Sequence, residues 1–243
     1  MRIVIAKDYE EMSRRAANIV AGQIFVRPNS VLGLATGSTP LMMYRELIRT
    51  QGKEGLDFSE ITTFNLDEYI GLSPENVNSY HYYMYSNLFG HINIKKENIF
   101  IPDGMASDIE KECGDYEEKI RIRGGIDLQV LGIGNNGHIG FNEPDIKFEA
   151  TTHKVKLDEE TILANARFFE DINDVPRYAI SMGIKTIMHA RKILLLASGA
   201  GKAEALGKAL YGGITPEIPA SILQLHPDAI VIVDEECAGY IKD

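Results

Sequence analysis

Apolar and polar positions come in blocks along this chain, and the blocks predict its elements. Residues 2–6, 31–35, 61–66, 126–131, 192–197 and 229–233 are short, largely apolar runs of strand length. Between them the period changes. Residues 8–25 place Met12, Ala16, Ile19 and Val20 at helical spacing, and 41–48, 79–89 and 109–122 also read as helices. Strand alternating with helix over this length predicts an α/β fold: an open, mostly parallel twisted sheet with helices on both faces, a Rossmann-like three-layer sandwich. In such a sheet the turns that follow the strands can open on one crevice, where ligands gather.

The 243 residues show no linker, low-complexity tract or internal repeat, so a single domain over 1–243 is the economical expectation. The first run, Met1-Arg-Ile-Val-Ile-Ala6, leads straight into acidic Asp8 and Glu10 rather than into a secretory leader. No window reaches the length of a membrane span. Cys113 and Cys237 are too few and too far apart for a disulfide framework or a metal cage, which predicts inert packing thiols and a reducing cytoplasm. A formal net charge of −10 argues against general nucleic-acid binding, which relies on clustered lysine and arginine. Any small anion must then be held by local groups against the overall field.

Three strand-end turns carry candidate chemistry. Thr36-Gly37-Ser38-Thr39-Pro40 reads as the start of a helix, with a hydroxyl residue as cap and proline at the first helical position. Its free N–H groups, its hydroxyls and the positive end of the helix dipole make a candidate phosphate cradle. No lysine precedes Ser38 or Thr39, so it is not a Walker loop, and alone it suits an ordinary capped helix equally well. Two cations are candidates to complete an anion site: Lys202, after a strand-like run and Ser198-Gly-Ala-Gly, and Arg167, in Ala164-Asn-Ala-Arg-Phe-Phe169. Lone cations are more often solvated, so each needs support from its surroundings.

Asp67-Glu68 closes the run 61–66. Strand alternation turns one of these acids to the crevice and the other away from it. A carboxylate there can remove a proton from carbon next to a carbonyl if its pKa is held in a useful range. The third turn is Gly132-Ile-Gly-Asn-Asn-Gly-His-Ile-Gly-Phe-Asn-Glu-Pro144, which sets His138 among glycines with Glu143 close by. Its GxGxxG spacing is not a dinucleotide fingerprint, because Pro144 interrupts the chain where that motif needs a long helix. The remaining histidines lack partners at ligand spacing, so no metal site is expected, and Tyr80-His-Tyr-Tyr-Met-Tyr85 is expected to pack a helix against the sheet. An anion cradle, a carboxylate base and a histidine with a carboxylate suit an isomerising enzyme acting on a phosphorylated sugar.

With these motifs, together with Leu32-Gly-Leu-Ala-Thr-Gly-Ser-Thr-Pro40, Phe64-Asn-Leu-Asp-Glu-Tyr69 and Ser198-Gly-Ala-Gly-Lys-Ala203, the chain closely resembles the glucosamine-6-phosphate deaminase (isomerase) family over nearly its whole length. The resemblance implies conversion of glucosamine 6-phosphate and water to fructose 6-phosphate and ammonia, without an organic cofactor. It implies that His138, supported by Glu143, moves the proton on the ring oxygen to open the pyranose. Asp67 would then take the proton from C2 and deliver it toward C1. Thr36, Gly37, Ser38, Thr39, Arg167 and Lys202 would hold the phosphate, converting binding into orientation. Asn136 stands where some members carry aspartate; an amide can still orient the imidazole by a hydrogen bond but leaves the relay one charge short.

The allosteric hexamers of the family use basic residues after Asn-Glu-Pro and a longer carboxyl tail, whereas this chain reads Thr151-Thr-His-Lys-Val155 and stops at Asp243. The comparison implies a monomer or small homo-oligomer without activation by the N-acetylated sugar phosphate. The related 6-phosphogluconolactonases hydrolyse a lactone and have no evident need of Asp67 as a carbon base. A sugar-phosphate-sensing regulator would need a helix-turn-helix that these residues do not supply.

Overall fold

The computed structural model describes residues 1–166 and 169–241. The chain begins with β1 (Arg2–Ala6), α1 (Tyr9–Val26), β2 (Val31–Leu34), α2 (Leu41–Glu54), β3 (Thr62–Asn65) and β4 (Asp67–Tyr69). It continues through α3 (Tyr80–Asn87), β5 (Ile99–Phe100), α4 (Ile109–Ile122), β6 (Leu128–Gly132), β7 (His153–Lys156) and α5 (Glu159–Ala166). β8 (Tyr178–Ser181), α6 (Ile184–Met188), β9 (Ile193–Ala197), α7 (Ala203–Tyr211) and β10 (Ala229–Asp234) complete it.

Seven of the described strands form one sheet in the order β1-β10-β9-β6-β2-β3-β5, and every pairing in it is parallel. Both faces are covered. Leu194, Leu196, Ile230 and Ile232 enter one core, with α1 and α2, while Leu195, Ala197, Val231 and Val233 enter the other, with α4 and α7. Alternate side chains of one strand therefore all need to be apolar, which is why these segments read as unbroken hydrophobic runs.

The order of strands decides where a ligand can sit. β2 and β6 are neighbours, yet the chain leaves β2 toward β3 and β5 on one side and leaves β6 toward β9 and β10 on the other. The loops after them diverge, and the divergence opens a crevice at their carboxyl ends. Mid-strand, Gly33 makes room for Gln129: a Cβ on that glycine would fall 2.0 Å from Gln129 Oε1. At the amino ends, the buried Asp127 carboxylate ties the two strands, accepting from Val31 N at 2.8 Å and pairing with Arg27 and Arg191.

Three departures from the sequence expectations bear on the site. The helix after β2 starts at Leu41 and runs to Glu54, with Pro40 at its cap and no side-chain capping bond, so residues 36–39 are a loop and not a hydroxyl-capped first turn. The run 61–66 does not end in a simple strand-end turn. Leu66 N donates to Leu34 O at 3.0 Å in the large sheet, and Met182 N donates to Leu66 O at 2.7 Å, after which Asp67–Tyr69 joins a second sheet, β4-β8-β7, that is antiparallel. That small sheet was not predicted. Its strands have at most four residues, and Lys154 and Lys156 of β7 are exposed, so little apolar periodicity marks them.

The small sheet is packed tightly against the segment preceding α4, where Gly104 abuts β4. A Cβ at Gly104 would lie 2.0 Å from the Tyr69 carbonyl oxygen and 3.5 Å from Glu68 Cγ. Gly104→Ala is expected to destabilise the fold by roughly 1–3 kcal/mol, read as a lower urea midpoint with an unchanged slope.

Candidate active site

The crevice at the ends of β2 and β6 is a cleft of about 440 Å³ lined by residues 35–39, Leu66, Asp67, Tyr80, residues 132–136, His138, Gly140, Phe141, Thr161 and Lys202. Residues from all three candidate segments thus share one mouth. A volume of this size lies in the small-ligand range of roughly 300–1,000 Å³.

Residues 36–39 form one wall. Gly37 has φ +93°, a conformation that glycine adopts without a side-chain clash. The carbonyls of the loop are pulled outward by tyrosine hydroxyls: Tyr44 donates to Ala35 O at 2.5 Å, Tyr83 to Gly37 O at 2.6 Å and Tyr9 to Ser38 O at 2.7 Å. Among the described residues the N–H groups of 37–39 have no protein acceptor, and they stand at the amino end of α2. Lys202 reaches this wall from across the sheet, donating from Nζ to Thr39 Oγ1 at 2.8 Å. Its turn is set by Asp234 at the end of the neighbouring β10, which accepts from Gly199 N at 3.1 Å and Cys237 N at 2.8 Å and bonds the Ser198 hydroxyl. The result is a concave array of N–H groups, hydroxyls and one ammonium, suited to an anion. Arg167 lies outside the described residues.

Asp67 sits on the floor, 6% exposed. Burial, and then the neighbouring Glu68 carboxylate, raise its pKa to about 8. Glu68 points the other way, as strand alternation requires, and meets backbone donors: Tyr69 N at 2.8 Å, Tyr80 N at 2.9 Å and His81 N at 2.8 Å. Burial lifts Glu68 to about 7 against the pull of those donors. It closes the first turn of α3, alongside the Ser79 hydroxyl that accepts from Tyr82 N at 3.0 Å.

The glycine-rich loop brings the third group. Gly134 lies under the imidazole of His138, where a Cβ would come within 2.3 Å of the ring. Gly140, at φ +59°, carries the loop past the acid; a Cβ there would be 3.0 Å from Ser181 Oγ and 3.7 Å from Asp67 Oδ2. His138 Nδ1 is 3.2 Å from Glu143 Oε2, which leaves Nε2 on the opposite edge of the ring. Glu143 lies behind the histidine rather than on the cleft wall. Burial pushes its carboxyl up, but pairing with His138 and hydrogen bonds from Thr161 and Asn136 together hold it below the usual glutamate range. Among the described residues the Asn136 amide makes no hydrogen bond to the imidazole. It donates from Nδ2 to Glu143 Oε2 at 3.0 Å and accepts from the His138 backbone N at 3.2 Å, so it orients the carboxylate and the loop instead of the ring.

Sequence reading missed two cleft residues. Tyr80, expected to pack α3 on the sheet, lines the cleft, with its ring 5.9 Å from that of Phe141 and nearly parallel to it. Reading 79–89 as a helix gave no direction for its ring. Thr161 lines the cleft from α5, and nothing in its local sequence marks it.

Over residues 7–232 the chain matches the family described as glucosamine-6-phosphate isomerases/6-phosphogluconolactonase. It belongs to that family. The glucosamine-6-phosphate deaminase of Clostridium acetobutylicum is 63% identical over 98% of this chain and 99% of its own length, and that of Thermoanaerobacter pseudethanolicus is 58% identical over 100% and 96%. A monomeric glucosamine-6-phosphate deaminase of known structure, 51% identical, superposes with a TM-score of 0.97 over 99% of this chain and 100% of that one. The 6-phosphogluconolactonase of Trypanosoma brucei, 18% identical with a TM-score of 0.78 over 99% of this chain and 98% of that one, shares the fold. Among the described residues no helix is long and apolar enough to cross a membrane.

Two outcomes follow from the electrostatics of this family member's cleft. Because the folded Asp67 carboxyl holds its proton up to about pH 8 while an unfolded one releases it near ~4, the native state binds more protons across that window and loses stability as pH rises through it. Asp67→Asn is expected to flatten that decline in urea-unfolding measurements repeated from pH 4 to pH 8. Asn136→Asp would set a second carboxylate where an amide now donates to Glu143, raising the proton affinity of Glu143 and His138 together. The pH profile of turnover is expected to move upward, and an unmoved profile would take Asn136 out of this network.

Proposed function

We propose that this protein converts glucosamine 6-phosphate and water to fructose 6-phosphate and ammonia, acting as a single-domain cytoplasmic enzyme, monomeric or a small homo-oligomer. The observation that carries the reading is the opening of an anion cradle, a buried carboxylate and a carboxylate-backed histidine into one cleft.

In this reading the 6-phosphate is held by the N–H groups and hydroxyls of residues 36–39 and by Lys202, with Arg167 as a further cation. The sugar then extends across the mouth toward Asp67 and His138. Glu143 keeps a proton on His138 Nδ1, so Nε2 is the nitrogen that accepts the anomeric hydroxyl proton and passes it to the ring oxygen, opening the pyranose. Asp67 removes the proton from C2 of the open aldose and returns it to C1. The C1 oxygen takes the proton that the C2 nitrogen gives up, so the aldehyde becomes an alcohol and the amine an imine; water then adds to C2, and ammonia leaves as the C2 ketone forms. Asp67 must be ionised to act. Burial raises its pKa to about 8, and the substrate's ammonium at C2 supplies the opposite charge that draws the proton off.

A lactonase reading rests on the family description and on fold alone. It gives no task to a carboxylate buried on the cleft floor, and the relatives at 63% and 58% identity carry the deaminase name.

The test is a coupled assay for fructose 6-phosphate with parallel ammonia detection, using glucosamine 6-phosphate and no added metal or organic cofactor. Equimolar release of both is expected, and 6-phosphogluconolactone hydrolysis in their place would overturn the reading. kcat/KM is expected to rise through about pH 8, with the limb in kcat lying lower. Asp67→Asn should lose turnover by at least about 10³-fold while still binding substrate, as expected for removal of a general base. Lys202→Ala should raise KM by roughly tenfold or more, the value of one charge-assisted hydrogen bond.

A further inference from the structure

Two adjacent residues of helix α5 do different things. Ile162, 4% exposed, packs with Tyr69, Phe141, Leu157, Val175 and Ala179 in the core of the small sheet. Thr161, 5% exposed, turns toward the cleft and donates from Oγ1 to Glu143 Oε1 at 2.6 Å. The next residue, Leu163, is 62% exposed.

The two oxygens of Glu143 are therefore divided between separate parts of the chain. Oε2 faces the glycine-rich loop, taking the Asn136 amide at 3.0 Å with His138 Nδ1 at 3.2 Å, while Oε1 accepts the Thr161 hydroxyl from α5. The terminal torsion of a glutamate is broad and has no strong well of its own. A carboxylate anchored at one oxygen can turn away from the ring it serves; one anchored at both cannot.

We propose that Thr161 is a positioning residue: its hydroxyl locks the Glu143 carboxylate against His138, so that the proton relay is complete only when α5 is seated on the small sheet. The inference rests on the roles given to His138 and Glu143 under the proposed function. Thr161 makes no contact with the reacting carbons in this scheme, and its effect passes through Glu143. A hydroxyl donated to a carboxylate stabilises the ionised form, so its loss raises the affinity of Glu143 for a proton.

The experiment compares the parent protein with Thr161→Val, which keeps the shape without the donor, and Thr161→Ser, which keeps the donor without the methyl. Two quantities are read: steady-state turnover of glucosamine 6-phosphate, and the carboxyl ¹³C titration of Glu143 in the ligand-free protein, identified by the signal missing from Glu143→Gln. Thr161→Val is expected to lower kcat about tenfold with KM within about twofold, and to raise the Glu143 midpoint by roughly one pH unit. Thr161→Ser is expected to restore both. The same midpoint in all three proteins would overturn the proposal, as would a serine variant as slow as the valine one. The titration needs no turnover, so a parent protein that releases no ammonia would sink the functional reading while leaving Thr161 to be judged on the titration alone.

Discussion

Leu66 is hydrogen-bonded into two sheets at once, and the site depends on it. Its N–H belongs to the parallel sheet through Leu34, and its carbonyl belongs to the antiparallel one through Met182. The chain must therefore swing out of the large sheet at the residue before Asp67. Had β3 simply continued, Asp67 would be a solvated acid at a strand end. The swing instead lays it across the mouth between β2 and β6, beside Gly140 of the loop that carries His138. A sheet whose pairings are all parallel puts every carboxyl end on one edge, and the second sheet turns part of that edge into a floor.

Two adjacent acids are thereby buried, on different terms. Glu68 meets three backbone N–H groups and the positive end of a helix, as a structural carboxylate should. Asp67 has no ion pair among the described residues, and its burial is a standing cost to the fold. Uncompensated burial of that kind is common where a group must exchange a proton rather than hold a shape. The candidate anion cradle is arranged differently again: it offers mostly neutral donors, so a chain of net charge −10 can present an anion site without a large positive patch.

How much of this was legible in the sequence depended on burial. β9 and β10 stood out because both their faces are covered, which leaves no polar position to break the run. β7 did not, because its lysines face solvent, and β4 did not, because it follows β3 with one residue between them and no turn signal. The site's three segments were legible as stretches rich in glycine, hydroxyls and acids that follow apolar runs, although Asp67 proved to lie on a strand and not on a turn. Their convergence was not, since it comes from strand order, which pairs β2 with β6 across more than ninety residues of chain. Side-chain partners were the least legible of all. Asn136 is two residues from His138 yet bonds Glu143, and Thr161 reaches the same carboxylate from a helix whose sequence gives no hint of it.

The three tyrosines that hold the carbonyls of Ala35, Gly37 and Ser38 come from α1, α2 and α3, so three separate helices splint one short loop. A splinted loop has given up its conformational freedom during folding. A ligand arriving there spends none of its binding free energy on ordering backbone, and what it gains from the donors goes into holding its own far end still. Under the proposed function, a sugar lacking the phosphate would forfeit that immobility as well as the contacts, and the loss would fall on its reactivity as much as on its residence.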